Sequence, residues 1–240
     1  MDTPKTLMAA VSYFADRRVC PEYLKEIKWP DGKPVCPTCG CDSVHELSTR
    51  PGLMKCNRRA CQKQFSLKRG TIMEDSPLGL DVWFTAIWAI ANCKNGISSH
   101  ELARACGITQ KSAWFVLHRI RKAMETDEFQ KLEGTIEVDE TYVGGEAANM
   151  HKDRREQTVT GRGGVDKDIV QGILQRDGPV RTFHVASFHL FRYCAEQCFR
   201  FNHRKLTDGG RFRKLMGRLA GKLSWRMLTG EGGAGFMGIT

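Results

Sequence analysis

Apolar residues recur at helical spacing through the first half of the chain. Between 80 and 92 (LDVWFTAIWAIAN) almost every position is apolar, which predicts a helix buried on all sides. Lys94, Asn95 and Gly96 end it. Ser98 with Glu101 three residues on is a capping box, opening a short helix with Leu102, Ala103 and Cys106 inward. Gly107 breaks that helix, and Thr109 caps the next. There Ala113, Val116, Leu117, Ile120 and Met124 form one apolar stripe. Lys111, Phe115, His118 and Lys122 lie opposite, flanked by Ser112, Arg119 and Arg121. Two helices joined by a short glycine-containing turn predict a helix-turn-helix. Upstream, residues 8–14 read as a short helix or an extended lead-in, and 22–28 as another short element.

The pattern then changes to strands. Residues 135–138 are β-branched around polar Glu137 and predict a short strand with Asp139 and Glu140 at its end. Adjacent strand residues point to opposite faces, so one of the two carboxylates faces any given site. Gly144 and Gly145 follow as a turn, and the polar, glycine-rich stretch 147–167 reads as a loop. Its GRGGVDKD segment is no phosphate loop, because Asp166 precedes Lys167 and Asp168 follows it. Residues 169–174 and 180–185, separated by Asp177, Gly178 and Pro179, complete a predicted antiparallel meander. Apolar residues at 188, 191, 195, 198 and 199 place a helix over 187–204. Five glycines in the last eleven residues predict a disordered tail.

Cysteine spacing adds chemistry. Cys36 and Cys39 form one close pair, and Cys56 and Cys61 another, with sixteen residues between. Each pair closes a tight knuckle and the spacer forms a hairpin, the arrangement a tetrahedral structural Zn²⁺ needs. Ten cysteines without a secretion signal point to metal ligands and free thiols in a reducing compartment. A net charge of +10 and a pI near 9.2 favour a polyanionic partner, nucleic acid first. Lys55, Arg58, Arg59, Lys63, Lys68 and Arg69 surround the second knuckle, so the ribbon is expected to face an anion. No apolar run is long enough to span a bilayer, which points to the cytoplasm and away from a membrane. Double-stranded DNA is the expected partner. Gln110, Lys111 and Ser112 begin the contact surface, and His118, Arg119, Arg121 and Lys122 continue it on the basic face of a recognition helix.

Taken together, CPTCG, CNRRACQKQFSLKRGTIME, WFTAIWAI, GISSHELARACGITQKSAWFVLHRIRKAM, GTIEVDETYVGG and FRYCAEQCFRFNHRK resemble bacterial insertion-sequence transposases with a zinc ribbon ahead of a DDE-type core. The resemblance implies a ribonuclease-H-like core whose acidic residues hold two Mg²⁺ ions while a water, then a DNA 3′-hydroxyl, attack phosphodiesters. It also implies Cys36, Cys39, Cys56 and Cys61 as zinc ligands, and Asp139 as the first catalytic carboxylate. It gives transposon ends as the DNA, a bacterial, nucleoid-associated location when bound, and leaves a homo-oligomer on DNA open. The expected architecture is α+β and multidomain. The N-terminal segment and ribbon take 1–72, the helix-turn-helix 73–130, a truncated ribonuclease-H-like core 131–228 and a tail 229–240. The core departs from the family. The third strand runs almost directly into the helix at 187–204, so the segment bearing the later catalytic residues is missing. Asp166, Asp168, Asp177 and Glu196 are poor substitutes by position. The expectation is a transposase-family protein defective in catalysis. Its alternatives are a non-catalytic, zinc-dependent DNA-binding regulator, or a zinc-stabilised interaction module.

Overall fold

The computed structural model describes residues 4–125, 135–144, 149–158, 167–184, 190–221, 223 and 228. The tail at 229–240 and, within the 147–167 stretch, residues 147–148 and 159–166 lie outside them. The chain divides into two compact units. One comprises Met1–Met124 with Lys205–Thr240, the other Glu125–Arg204.

The first unit begins with helices α1 (Leu7–Ala15) and α2 (Val19–Lys28). A three-stranded antiparallel ribbon follows: β1 (Val44–Glu46), β2 (Leu53–Cys56) and β3 (Gln64–Ser66), paired in that order. Next come α3 (Leu80–Asn92), α4 (Ser99–Cys106) and α5 (Gln110–Met124). The capping box at Ser98 and Glu101 forms in both directions, and Gly107 sits in the left-handed region at φ 64°, which favours glycine. Helix α3 is the centre of the unit. Trp83, Phe84, Ile87 and Ile90 are fully buried, each contributing about 1.5–3 kcal/mol of burial. α1, α2 and α5 pack on it.

A further helix, α8 (Asp208–Met216), also packs on α3. Its Phe212 joins Phe14, Tyr23 and Phe84 in an aromatic cluster with ring centroids 5.2–6.0 Å apart. The sequence placed residues 205–228 in the core that follows 131. The structure places α8 in the unit of α1–α5, because Phe212, Leu215 and Met216 bury there completely.

The connection from ribbon to α3, residues 67–78, is held by three cations. Lys28 Nζ donates to the carbonyls of Leu67 (2.9 Å) and Arg69 (2.7 Å). Lys68 Nζ donates to Ser76 (2.6 Å) and Leu78 (2.9 Å). The Arg119 guanidinium reaches Ile72 (2.5 Å), Glu74 (2.7 Å) and Leu223 (3.0 Å). Burial pulls all three below their ordinary pKa values.

The second unit is a meander. β4 (Ile136–Val143) pairs antiparallel with β5 (Asp168–Gln175), and β5 with β6 (Val180–His184). Between β4 and β5 lies a short helix, α6 (Lys152–Thr158), where a loop was expected. Helix α7 (Leu190–Asn202) packs on β6. β4 runs past the expected end, because Thr141, Tyr142 and Val143 continue the β-prone run and pair with Val170, Ile169 and Asp168. Asp139 and Glu140 therefore stand in mid-strand.

Candidate metal centre and nucleic-acid interface

The ribbon brings Cys36, Cys39, Cys56 and Cys61 together, with all four Sγ atoms within 4.8 Å of one another. Cys36 and Cys61 are 3.9 Å apart, and Cys39 and Cys56 3.6 Å. Four sulfurs at a Zn–S distance of about 2.3 Å around a tetrahedral ion lie ~3.8 Å apart, so the donor set fits a structural Zn²⁺. The first knuckle is closed by Gly40 N–H on Cys36 O (2.9 Å), with Gly40 at φ 68°. The second is closed by Cys61 N–H on Arg58 O (2.8 Å). Against burial, hydrogen bonds from the Thr38 and Cys39 amides hold the Cys36 thiol down at about 6. Burial pushes Cys56 up to about 12 and, against the Lys63 amide, burial and the neighbouring thiols leave Cys61 raised, so the set shares its protons unevenly. A thiolate is the form zinc binds. Cys41 stands outside the cluster, accepting from Ser43 N–H at 3.4 Å. Around the second knuckle Arg58, Arg59 and Lys63 are exposed, whereas Lys68 is turned inward as described.

On α5 the predicted apolar stripe is buried as expected: Ala113, Val116, Leu117, Ile120 and Met124. Thr109 caps the helix, its Oγ1 accepting from Ser112 N–H at 3.2 Å and lying 2.9 Å from Ser112 Oγ. Gln110 and Lys111 are exposed in the first turn, and Ser112 is half-buried. Gln110 Nε2 also donates to Ser99 Oγ (2.9 Å), tying the two helices. Lys122 is half-buried in the last turn. Three residues expected on the basic face are not on the surface: His118, Arg119 and Arg121 are only 1%, 4% and 4% exposed. The helical wheel treats α5 as two-sided. In the structure, residues 72–74 and 223 lie against Arg119 as well, and its guanidinium stacks on Phe115 at 4.2 Å. His118 packs its ring on Trp114 at 4.1 Å.

In the second unit Asp139 is exposed and pairs with Gly172, which pairs with Thr182. These three share one face by strand alternation. It is the face covered by α7, since Thr182 Oγ1 lies 3.4 Å from Cys198 Sγ and Val170 is buried there. Glu140 points to the other face, with Ile136, Val138 and Tyr142, which are 44%, 55% and 53% exposed. Among the described residues, the cysteine set is the only group of three or more His, Cys, Asp or Glu close enough to hold one ion. The residues expected to be poor substitutes stand apart. Glu196 is buried in an ion pair with Arg200, and Asp177 sits in the β5–β6 turn at φ 62°. Asp168 pairs with Val143 at the far end of β4, and Asp166 lies outside the described residues. Mg²⁺ prefers several oxygen ligands. The described residues around Asp139 do not assemble such a site.

Two family models match the chain. A transposase zinc-ribbon domain covers residues 15–64, and an ISXO2-like transposase domain covers 131–190. The first spans the four-cysteine knuckles, and the second spans the meander with Asp139. Both matched models describe domains of insertion-sequence transposases. It is 25% identical over 182 residues to an uncharacterized protein in the transposable element ISH50 of Halobacterium salinarum. That alignment covers 74% of this chain but 60% of the relative, so the chain spans about three fifths of the length of the curated protein it matches. No solved structure matches it. No helix among the described residues is long and apolar enough to cross a membrane.

Proposed function

We propose that this chain is a zinc-dependent duplex-DNA-binding protein of the insertion-sequence transposase family that binds transposon ends and, by itself, does not cleave them. In this reading α4 and α5 are the helix-turn-helix, and the first turn of α5 enters the major groove. The observation that carries it is the position of Lys111. It is exposed in the first turn of a helix whose aim is set by the Thr109 cap, the Gly107 turn and a fully buried stripe. Gln110, Lys111 and Ser112 are the base-edge candidates, and Lys122 a phosphate contact. His118, Arg119 and Arg121 drop out of the contact set, because their burial keeps them from a duplex.

The sheet is proposed as the front of a ribonuclease-H-like core. A meander carrying Asp139 in its first strand and a helix on one face support this. Its other face leaves Ile136, Val138 and Tyr142 exposed, where a layered α/β core covers both faces. That bare face and the lone Asp139 favour binding without chemistry over an intact recombinase.

Titration of labelled duplexes from element ends, at several salt concentrations, tests the DNA reading. Affinity is expected to fall with salt at about −0.9 per phosphate neutralised on the log–log slope. Binding that ignores salt, or none at low salt, rules the reading out.

A further inference from the structure

The chain leaves the first unit at Met124 and re-enters it at Lys205. What it adds on return is not a peripheral tail. Phe212 completes the aromatic cluster on α3, with Leu215, Met216 and Leu219 buried beside it. Arg211 Nε donates to Asn92 Oδ1 at the end of α3 (2.9 Å). The next residues close on the ribbon connection, where Ile72 N–H donates to Leu219 O (3.0 Å) and Gly221 N–H to Gly70 O (2.9 Å). Thr71 and Ala220 form an antiparallel bridge there. Two bonds then reach α5: Arg218 Nη1 donates to Met124 O (3.3 Å), and Arg119 Nη2 to Leu223 O (3.0 Å). The returning segment thus touches α3, the ribbon connection and both the middle and the end of α5.

We infer that the sheet unit is an insertion within the DNA-binding unit, and that the duplex-DNA surface on α5 depends on the C-terminal α8 and not on the sheet. The inference rests on the DNA-binding reading for its affinity readout alone. It identifies residues 205–223, which lie beyond both matched domains, as part of the DNA-binding machinery. It also gives a shortened or damaged sheet a defined outcome: DNA binding survives. A chain that ends before α8 loses DNA binding although every contact residue on α5 is present.

The test uses the 240-residue chain. Phe212→Ala and the milder Arg211→Ala loosen α8, and Val170→Asp breaks the sheet from its buried face. Duplex affinity at low salt and amide hydrogen exchange are measured on each. Phe212→Ala is expected to weaken DNA binding at least tenfold, and Arg211→Ala two- to fivefold. Both should raise exchange in α3 and α5 while β5 keeps its protection. Val170→Asp should raise exchange in β4–β6 and leave DNA affinity within twofold. The inference is overturned if Arg211→Ala and Phe212→Ala leave α3 and α5 exchange unchanged, or if Val170→Asp costs as much affinity as Phe212→Ala. If wild-type protein binds no duplex, the DNA reading fails separately. The exchange patterns then still decide whether α8 belongs with α3 or with the sheet.

Discussion

Arg119 and Lys111 lie two turns apart on one helix and have opposite fates. The Arg119 side chain satisfies three backbone carbonyls, those of Ile72 and Leu223 buried and that of Glu74 half-buried, so truncation strands two acceptors in the interior. Arg119→Ala is expected to destabilise the first unit by about 2–4 kcal/mol in urea unfolding, and to weaken DNA binding only as the folded fraction falls. Lys111 is exposed, and Lys111→Ala should leave stability within about 0.5 kcal/mol. It should instead narrow the gap between cognate and random duplex, measured by competition. Equal affinities of wild type and Lys111→Ala for both duplexes would remove Lys111 from the base-reading set. Nothing in a residue list separates these two cations. Lys28 and Lys68 carry the same lesson, since carbonyls that recruit a buried cation are invisible to residue type and spacing.

Elements were legible where local signals agreed. At α4 the capping box, the inward Leu102 and Ala103, and the left-handed Gly107 all mark the same boundaries. Ser98→Ala removes the bond to Glu101 N–H (3.1 Å) and should cost about 1 kcal/mol, read as a fall in thermal midpoint, with α5 losing order alongside α4. An unchanged midpoint would mean that tertiary packing alone sets this helix. The ribbon was legible for a different reason: metal-ligand spacing is covalent geometry, and the hairpins follow from it. α8 was missed. DGGRFRKLM has two glycines in its first turn and few apolar residues, so neither propensity nor periodicity marks it. Its start signal is Thr207, whose Oγ1 accepts from Gly210 N–H at 3.2 Å, and one cap without a stripe is a weak sign. β4 was read too short because its carboxylates looked like an end, whereas β5 pairs with all eight of its residues.

At the scale of the whole molecule, zinc and fold are one equilibrium in the ribbon. Thiolate ligation is folding free energy there, so a strong chelator should unfold residues 35–65 and release one zinc per chain, counted by a chromogenic dye. The connection at 67–78 ties the ribbon to Lys28 and Arg119, so chelation should also raise amide exchange at the middle of α5. Protection of α5 unchanged by zinc removal would show that ribbon and helices are energetically separate.

In the proposed reading the two units divide the function between them, and the chemistry would fall on the sheet, the one less equipped for it. In-line phosphoryl transfer with two metals needs carboxylates converging from several elements on either side of the scissile phosphate. Asp139 and Glu140 are adjacent on β4 and point to opposite faces, so they cannot supply both sides. On the Asp139 face, the cross-strand partners are Gly172, which has no side chain, and Thr182, which lies against Cys198. Glu137 is on that face too, but its carboxylate is held by Arg176 Nε at 2.9 Å. One carboxylate surrounded by waters binds Mg²⁺ weakly, because Mg²⁺ loses water reluctantly. Zinc-loaded protein is therefore expected to bind labelled element ends and neither nick nor join them in Mg²⁺ or Mn²⁺, as read on denaturing gels. Asp139→Ala should bind the same duplexes with unchanged affinity, since the proposed contact residues are all on α5. Metal-dependent cleavage that disappears in Asp139→Ala would reverse this conclusion. The missing carboxylates would then have to come from a second chain or from residues outside 135–144, 167–184 and 190–202.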